Sequence, residues 1–344
     1  MKVLLHIGTE KTGTTTIQQF LSQNRQNLLA DGYLYPSSPG EINHTKLAIF
    51  SLKNTNIQNI HWQLGLTTPE QVSNFQSQFK QDLAHELSLN HDKTVILSNE
   101  HCSSRLTRIE DIEQLKMLLK EHFNEIEIII YLRRQDKFLV SSYSTAIRSG
   151  RTKSFSFPNQ KTLKNRYDYW NILQKWESVF GKNTIIVKVF ERNQMIENDL
   201  LKDFLKTCKI NLDNKYKLTK SYNESLDIYS LEYIRIINNY FSWVDPSRNI
   251  DSKRRKIVQL ISDYSIKYYN NNDSLISQKF AEDFMSNFEQ SNQQIAAYFL
   301  NRSDRRLFYE ELSYSDKKEV SKIKMFKQFW RLTTLLLQKR FLKV

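Results

Sequence analysis

Four short apolar runs punctuate the first 190 positions of the chain: Val3–Ile7, Thr94–Ser98, Ile126–Leu132 and Thr184–Phe190. They are nearly continuous rather than alternating, the pattern of strands buried on both faces of a parallel sheet. Between them the apolar spacing lengthens to the helical period. Ile17, Phe20, Leu21 and Leu28 line one face after the first run, and Leu139, Tyr143, Ala146 and Ile147 do so after the third. Strands alternating with helices predict an α/β fold, a doubly wound parallel sheet with flanking helices. Tyr167, Tyr169, Trp170, Trp176 and Phe180 also fall at helical spacing, and such a stripe usually belongs to a core. From about Ser221 the chain changes to Tyr, Phe, Asn and Ile at helical spacing, as in Leu231, Ile234, Ile237 and Phe241 or Phe284, Phe288, Ile295, Tyr298 and Phe299, with a polar loop at Asn271, Asn272 and Asp273. The expected organisation is an α/β core over 1–220, a helical C-terminal extension over 221–320 that shapes a substrate site, and a distinct tail over 321–344.

The turn after the first strand carries the most specific chemistry. Residues 8–15 read Gly-Thr-Glu-Lys-Thr-Gly-Thr-Thr and hold two of only seven glycines. The glycines are spaced as in the phosphate-binding loop (P-loop) pattern G-x-x-x-x-G-K-S/T, where backbone N–H groups approach phosphate oxygens at a helix N-terminus. Position 14, where an ATP or GTP enzyme carries its lysine, is Thr14, and the cation sits inside the loop as Lys11.

This loop, Lys11-Thr12-Gly13-Thr14-Thr15, resembles the 5′-phosphosulfate loop of the P-loop sulfotransferases, whose donor is 3′-phosphoadenosine 5′-phosphosulfate (PAPS). A second motif supports the resemblance. Arg133 closes the strand-like run Ile126–Leu132, and Ser141 follows eight residues later in a helical segment. In that family an arginine and a serine at this spacing hold the 3′-phosphate. An arginine fork and a hydroxyl near a helix N-terminus suit such an anion. The resemblance implies cofactor contacts from Lys11, Thr12, Gly13, Thr14, Thr15, Arg133 and Ser141, with PAP as product and no metal required. It covers about the first two thirds of the chain. The glycine-rich G-x-x-G-D-W-K segment of the cytosolic phenol and steroid branch is missing, so the chain looks more like the bacterial, carbohydrate-modifying branch. The implied activity is sulfuryl transfer to an acceptor hydroxyl, on a carbohydrate or glycan; a small alcohol or sterol is the alternative.

Three residues are candidates for the base that takes the acceptor proton. Glu100 follows the second run at its carboxyl end, where the cytosolic branch carries a histidine. His44 sits in Ile42-Asn43-His44 beyond the Tyr35-Pro36 turn, in a region able to fold back over the crevice, and needs no pKa shift to act near neutrality. His101 adjoins Glu100, but its side chain points to the opposite face if the chain is still extended there. The expected order is Glu100, His44, His101, with Lys11 beside the bond that breaks.

Composition narrows the rivals. The 344 residues are 40% hydrophobic, enough for a full α/β core and a further helical region. The two cysteines, Cys102 and Cys208, make neither a disulfide framework nor a C-x-x-C pair. The seven histidines lack metal-ligand spacing. No secretion signal or bilayer-spanning run is evident, so the expected location is cytoplasmic. The net charge is +13, and residues 321–344 alone contribute seven, from Lys322, Lys324, Lys327, Arg331, Lys339, Arg340 and Lys343 with no acid. There Phe326, Phe329, Trp330, Thr333, Leu336, Leu337 and Phe341 fall along one helical face, which fits either a docked terminal helix or one lying in an anionic membrane surface, at the inner face of the membrane. No nucleic-acid motif accompanies the charge. An atypical P-loop nucleotide kinase and a non-catalytic basic surface-binding protein remain as the other function classes.

Overall fold

The computed structural model describes residues 1–53, 57–218, 226–245, 251–268, 274–314 and 322–339. Asn271, Asn272, Asp273, Arg340, Phe341 and Lys343, singled out in the sequence, lie outside them.

Strands β1 (Lys2–His6), β2 (Tyr33–Leu34), β3 (Thr94–Ser98), β4 (Glu125–Leu132) and β5 (Ile185–Val189) form one sheet in the order β2-β3-β1-β4-β5. Every pairing is parallel. The near-continuous apolar runs are explained by burial on both faces: Val3, Leu5, Val95, Leu97, Ile128 and Ile130 on one face and Ile96 and Ile129 on the other are fully buried. The α/β, doubly wound architecture expected from the sequence is the observed one. β1 is central, with β3 on one side and β4 on the other, so the loops leaving the carboxyl ends of these three strands open on a common edge. That is where open α/β sheets bind ligands.

The chain divides into two compact units. The first comprises residues 1–134, 159–222 and 288–310, and the second residues 135–158, 223–287 and 311–344. Neither is continuous in sequence, whereas the boundaries expected from composition fell at 220 and 320.

In the first unit, helix Thr14–Gln23 packs Ile17, Phe20 and Leu21 onto the sheet with Leu4, Ile96, Ile129 and Tyr131. Helix Leu200–Thr207 covers the same face, and its buried Asp203 accepts from the Tyr131 hydroxyl at 2.6 Å and pairs with Lys188 at 3.0 Å. Trp176 and Tyr169 of helix Tyr169–Phe180 are buried, the core role expected of that aromatic stripe. Residues 288–310 are tied to the end of β5: buried Glu191 accepts the backbone N–H of Tyr309 (2.8 Å) and of Glu310 (3.2 Å).

The second unit is helical among its described residues. Helices Gln135–Arg148, Ile228–Val244, Asp251–Tyr268 and Lys322–Gln338 share a core of Ile147, Ile234, Ile237, Ile257, Ile261, Leu332 and Leu336. Asn238 crosses it as a buried polar tie, donating to the carbonyls of Ile147 (2.7 Å) and Arg151 (3.0 Å).

Candidate functional site

The site grows out of the end of β1. Past His6 the chain keeps step with β4, the Ile7 N–H donating to Ile129 O and the Thr9 N–H to Tyr131 O, both at 2.9 Å. It then turns. Gly8 has φ +93°, and a Cβ there would stand 2.9 Å from Glu100 Cβ and 3.0 Å from Glu100 Cα. Glycine is therefore required on two counts, and its small size is what lets the loop lie against the end of β3. Gly13, φ +73°, precedes helix Thr14–Gln23, and its carbonyl accepts the N–H groups of Thr16 and Ile17. A Cβ on Gly13 would meet Leu200 Cδ2 at 2.3 Å.

Side chains hold the turn from within. Thr12 donates its hydroxyl to Thr9 O at 2.6 Å, and Thr9 donates its own to Tyr131 O at 3.0 Å. Thr12 and Thr14 are buried, Lys11 and Gly13 are half-buried and Thr15 is exposed. The first N–H groups of a helix have no intrahelical acceptor, so this cradle presents donors to an anion where the helix dipole also favours one.

Arg133, the first residue beyond β4, donates from Nη1 to Lys11 O at 2.7 Å. Its guanidinium lies 5.5 Å from the centre of the Phe190 ring, and its own carbonyl accepts from the Tyr169 hydroxyl at 2.6 Å. The loop and Arg133, 122 residues apart, thus form one structure. Ser141 is half-buried on helix Gln135–Arg148 and belongs to the second unit.

Glu100 stands at the carboxyl end of β3, against the loop. It accepts from Gln18 Nε2 at 2.8 Å and from Asn43 Nδ2 at 3.1 and 3.2 Å. Asn43 is oriented in turn by Asn99, whose amide donates to Asn43 Oδ1. Two neutral amides therefore position this carboxylate.

The residues 42–44 do fold back towards Glu100, but Asn43 makes the contact and His44 does not. His44 is fully buried, stacked on Tyr35 at 4.2 Å, and accepts the Ser98 N–H on Nδ1 at 3.2 Å. Burial, with a smaller contribution from Arg25, pushes its pKa down to about 3. A ring so enclosed reaches no acceptor hydroxyl, and its place in the base ranking is corrected accordingly. The premise used for His101 also fails. Glu100 already has helical backbone angles (φ −69°, ψ −18°), so strand alternation no longer applies at the next residue. His101 Nδ1 lies instead 3.7 Å from Glu10 Oε1 of the loop.

Glu10 was missed in the sequence, as was its partner Arg166, which donates to Glu10 Oε2. Burial opposes ionisation of Glu10, yet the nearby His101, Arg166 and Ser104 hold its carboxyl well below the usual carboxylate range. Arg166 lies in no phosphate motif, so only the contact reveals it. An acid inside a loop with the glycine spacing of a P-loop was the available signal, since such a turn gathers N–H donors and the acid is half-buried there. Among the described residues no group of three or more His, Cys, Asp or Glu side chains is arranged to hold a metal ion.

The fold and this edge define an α/β protein with a P-loop-type turn after its central strand, faced by a carboxylate from one neighbouring strand end and an arginine from the other. No protein-family model matches the chain. It is 26% identical over 193 residues to an uncharacterized protein of Archaeoglobus fulgidus; the match covers 55% of this chain, which spans about half the length of that relative, 50%. In structure it is similar to a sulfotransferase from Alicyclobacillus acidocaldarius, over 72% of this chain and 94% of that one, at 14% identity and a TM-score of 0.41. So loose an overlap carries no functional argument.

Proposed function

We propose that the protein is a PAPS-dependent sulfotransferase acting on an acceptor hydroxyl. The observation that carries this reading is the 2.7 Å hydrogen bond from Arg133 to the carbonyl of Lys11, which joins the two sequence motifs that suit the two phosphate ends of one nucleotide. The glycines let the loop close against Glu100 and Leu200, where a Cβ at Gly8 or Gly13 would clash, and so leave its backbone N–H groups to form the cradle this reading requires.

PAPS supplies an activated sulfuryl group whose sulfur is attacked by the acceptor oxygen while the bond from sulfur to the 5′-phosphate oxygen breaks. Lys11 and the N-terminus of helix Thr14–Gln23 neutralise the charge that builds on that departing phosphate. Glu100 accepts the acceptor proton, and the amides of Gln18 and Asn43 hold its carboxylate in place. His101, backed by Glu10, is the second candidate for that role. Arg133 binds the 3′-phosphate. Alignment and charge stabilisation supply most of the rate, as in phosphoryl transfer. The carbohydrate or glycan acceptor rests on the family resemblance, with a small alcohol or sterol as the alternative.

Isothermal titration with PAPS, PAP and ATP tests the reading. PAPS and PAP should bind at least about tenfold more tightly than ATP, because Thr14 replaces the lysine that reaches a γ-phosphate. Preferential binding of ATP with magnesium would identify a kinase instead, and failure of all three to bind would remove the enzyme assignment.

A further inference from the structure

Helix Lys322–Gln338 carries two apolar faces, not the single one read from its sequence. Leu332 and Leu336 are buried in the core of the second unit, and Phe329 packs beside them against Tyr233 at 5.0 Å between ring centres. Gln328 donates to Ser230 Oγ at 3.1 Å, and the Tyr233 hydroxyl lies 2.8 Å from Thr333 Oγ1. The helix is therefore docked. Yet Ile323, Phe326 and Trp330 are 68–70% exposed, with Leu337 exposed on the same stripe. Positions 323, 326, 330 and 337 recur at helical spacing, so they form one row along a helix about 25 Å long. Docking accounts for the buried face and leaves this second row without a function in the isolated unit.

The flank of the row indicates what it meets. Lys324, Lys327 and Arg331 are exposed beside it, Lys339 follows, and no acid occurs over residues 322–339. The helix it packs against, Ile228–Val244, adds exposed Ile236, Tyr240 and Trp243 at i, i+4 and i+7, with Trp243 at 80% exposure. A second copy of the chain would bring like charges together across a two-fold contact. Apolar and aromatic side chains bordered by cations match the boundary between the acyl chains and anionic headgroups of a bilayer. No helix among the described residues is long and apolar enough to cross a membrane, so the contact would lie in the plane of the surface.

We infer that helix Lys322–Gln338 docks the protein on an anionic lipid surface through the row Ile323, Phe326, Trp330 and Leu337. This inference is independent of the sulfotransferase reading, since its test uses no nucleotide and no acceptor.

Sedimentation with vesicles measures it directly. The full chain should pellet with equimolar phosphatidylglycerol and phosphatidylcholine, and much less with phosphatidylcholine alone or at high salt. Phe326→Ser with Trp330→Ser, and separately Lys327→Glu with Arg331→Glu, should each weaken that binding by about tenfold or more while the melting temperature holds. All four side chains are exposed, so both variants should fold. The inference is overturned if the wild-type chain leaves anionic vesicles in the pellet alone, or if both variants pellet normally. It is overturned equally if sedimentation velocity shows a dimer that Trp330→Ser dissolves and no lipid binding.

Discussion

At the scale of single residues the site separates groups that face the crevice from groups that hold it up. Lys11 and Glu100 are proposed to act on charge that changes during transfer. Lys11→Ala should therefore lower kcat by about 100-fold or more with a smaller loss of PAP affinity, and Glu100→Gln should lower kcat by a similar factor with PAP affinity nearly preserved. Steady-state kinetics with PAP titration checks this, and a Glu100→Gln enzyme that keeps most of its kcat would return the role of base to His101. His44 and His6 are support. Both are fully buried, and burial pushes both pKa values down to about 3. An unfolded histidine titrates near 6.5, so between about pH 6.5 and 3 the unfolded chain binds the extra protons. The stability held by each neutral ring is thus complete above pH 6.5 and falls with acidification, by about 1.4 kcal/mol per pH unit per histidine. His44→Gln should flatten the dependence by about that slope, measured by denaturant unfolding at pH 6 and pH 5. An unchanged slope would place His44 in a protonatable setting. Polarity marks Asn43 and His44 equally in the sequence, and only packing tells that Asn43 turns to Glu100 while His44 is buried.

At the scale of elements, four of the five strands were legible because double burial writes itself as unbroken apolar runs. β2 was not, since two residues, Tyr33 and Leu34, at a sheet edge leave no pattern. The first helix was expected to continue to Leu28 but ends at Gln23, and a separate helix Arg25–Ala30 follows. Asn24 marks the break, its side chain accepting the Lys217 N–H at 2.8 Å and donating to the Lys217 carbonyl at 3.0 Å. That contact spans 193 residues, and nothing local encodes it. The glycine-rich turn after β1 was legible from its glycines, and their geometry yields a prediction. Gly13→Ala adds a methyl group at positive φ and 2.3 Å from Leu200, so it should cost about 1–3 kcal/mol in stability and weaken PAP binding as well. Gly181→Ala, also at positive φ but with open space around it, should show the backbone cost alone. Thermal unfolding and PAP titration of the two variants separate strain in the loop from general strain.

At the scale of the whole molecule the sequence conveyed composition better than connectivity. The described residues beyond 221 form helices and no strand. Composition could not reveal that residues 288–310 group with the sheet and residues 135–158 with the helical unit, because helices in either unit need the same amphipathic pattern. That interleaving bears on how the chain matures on the ribosome. All five strands have been made by Val189, yet the sheet unit still lacks residues 288–310, including the amides that Glu191 accepts. At roughly 5–20 residues per second, roughly 5 to 20 s pass between the synthesis of Val189 and that of position 288. Neither unit can be completed before its last segment emerges, so the buried Glu191 carboxylate waits until Tyr309 and Glu310 are made for the backbone that will satisfy it.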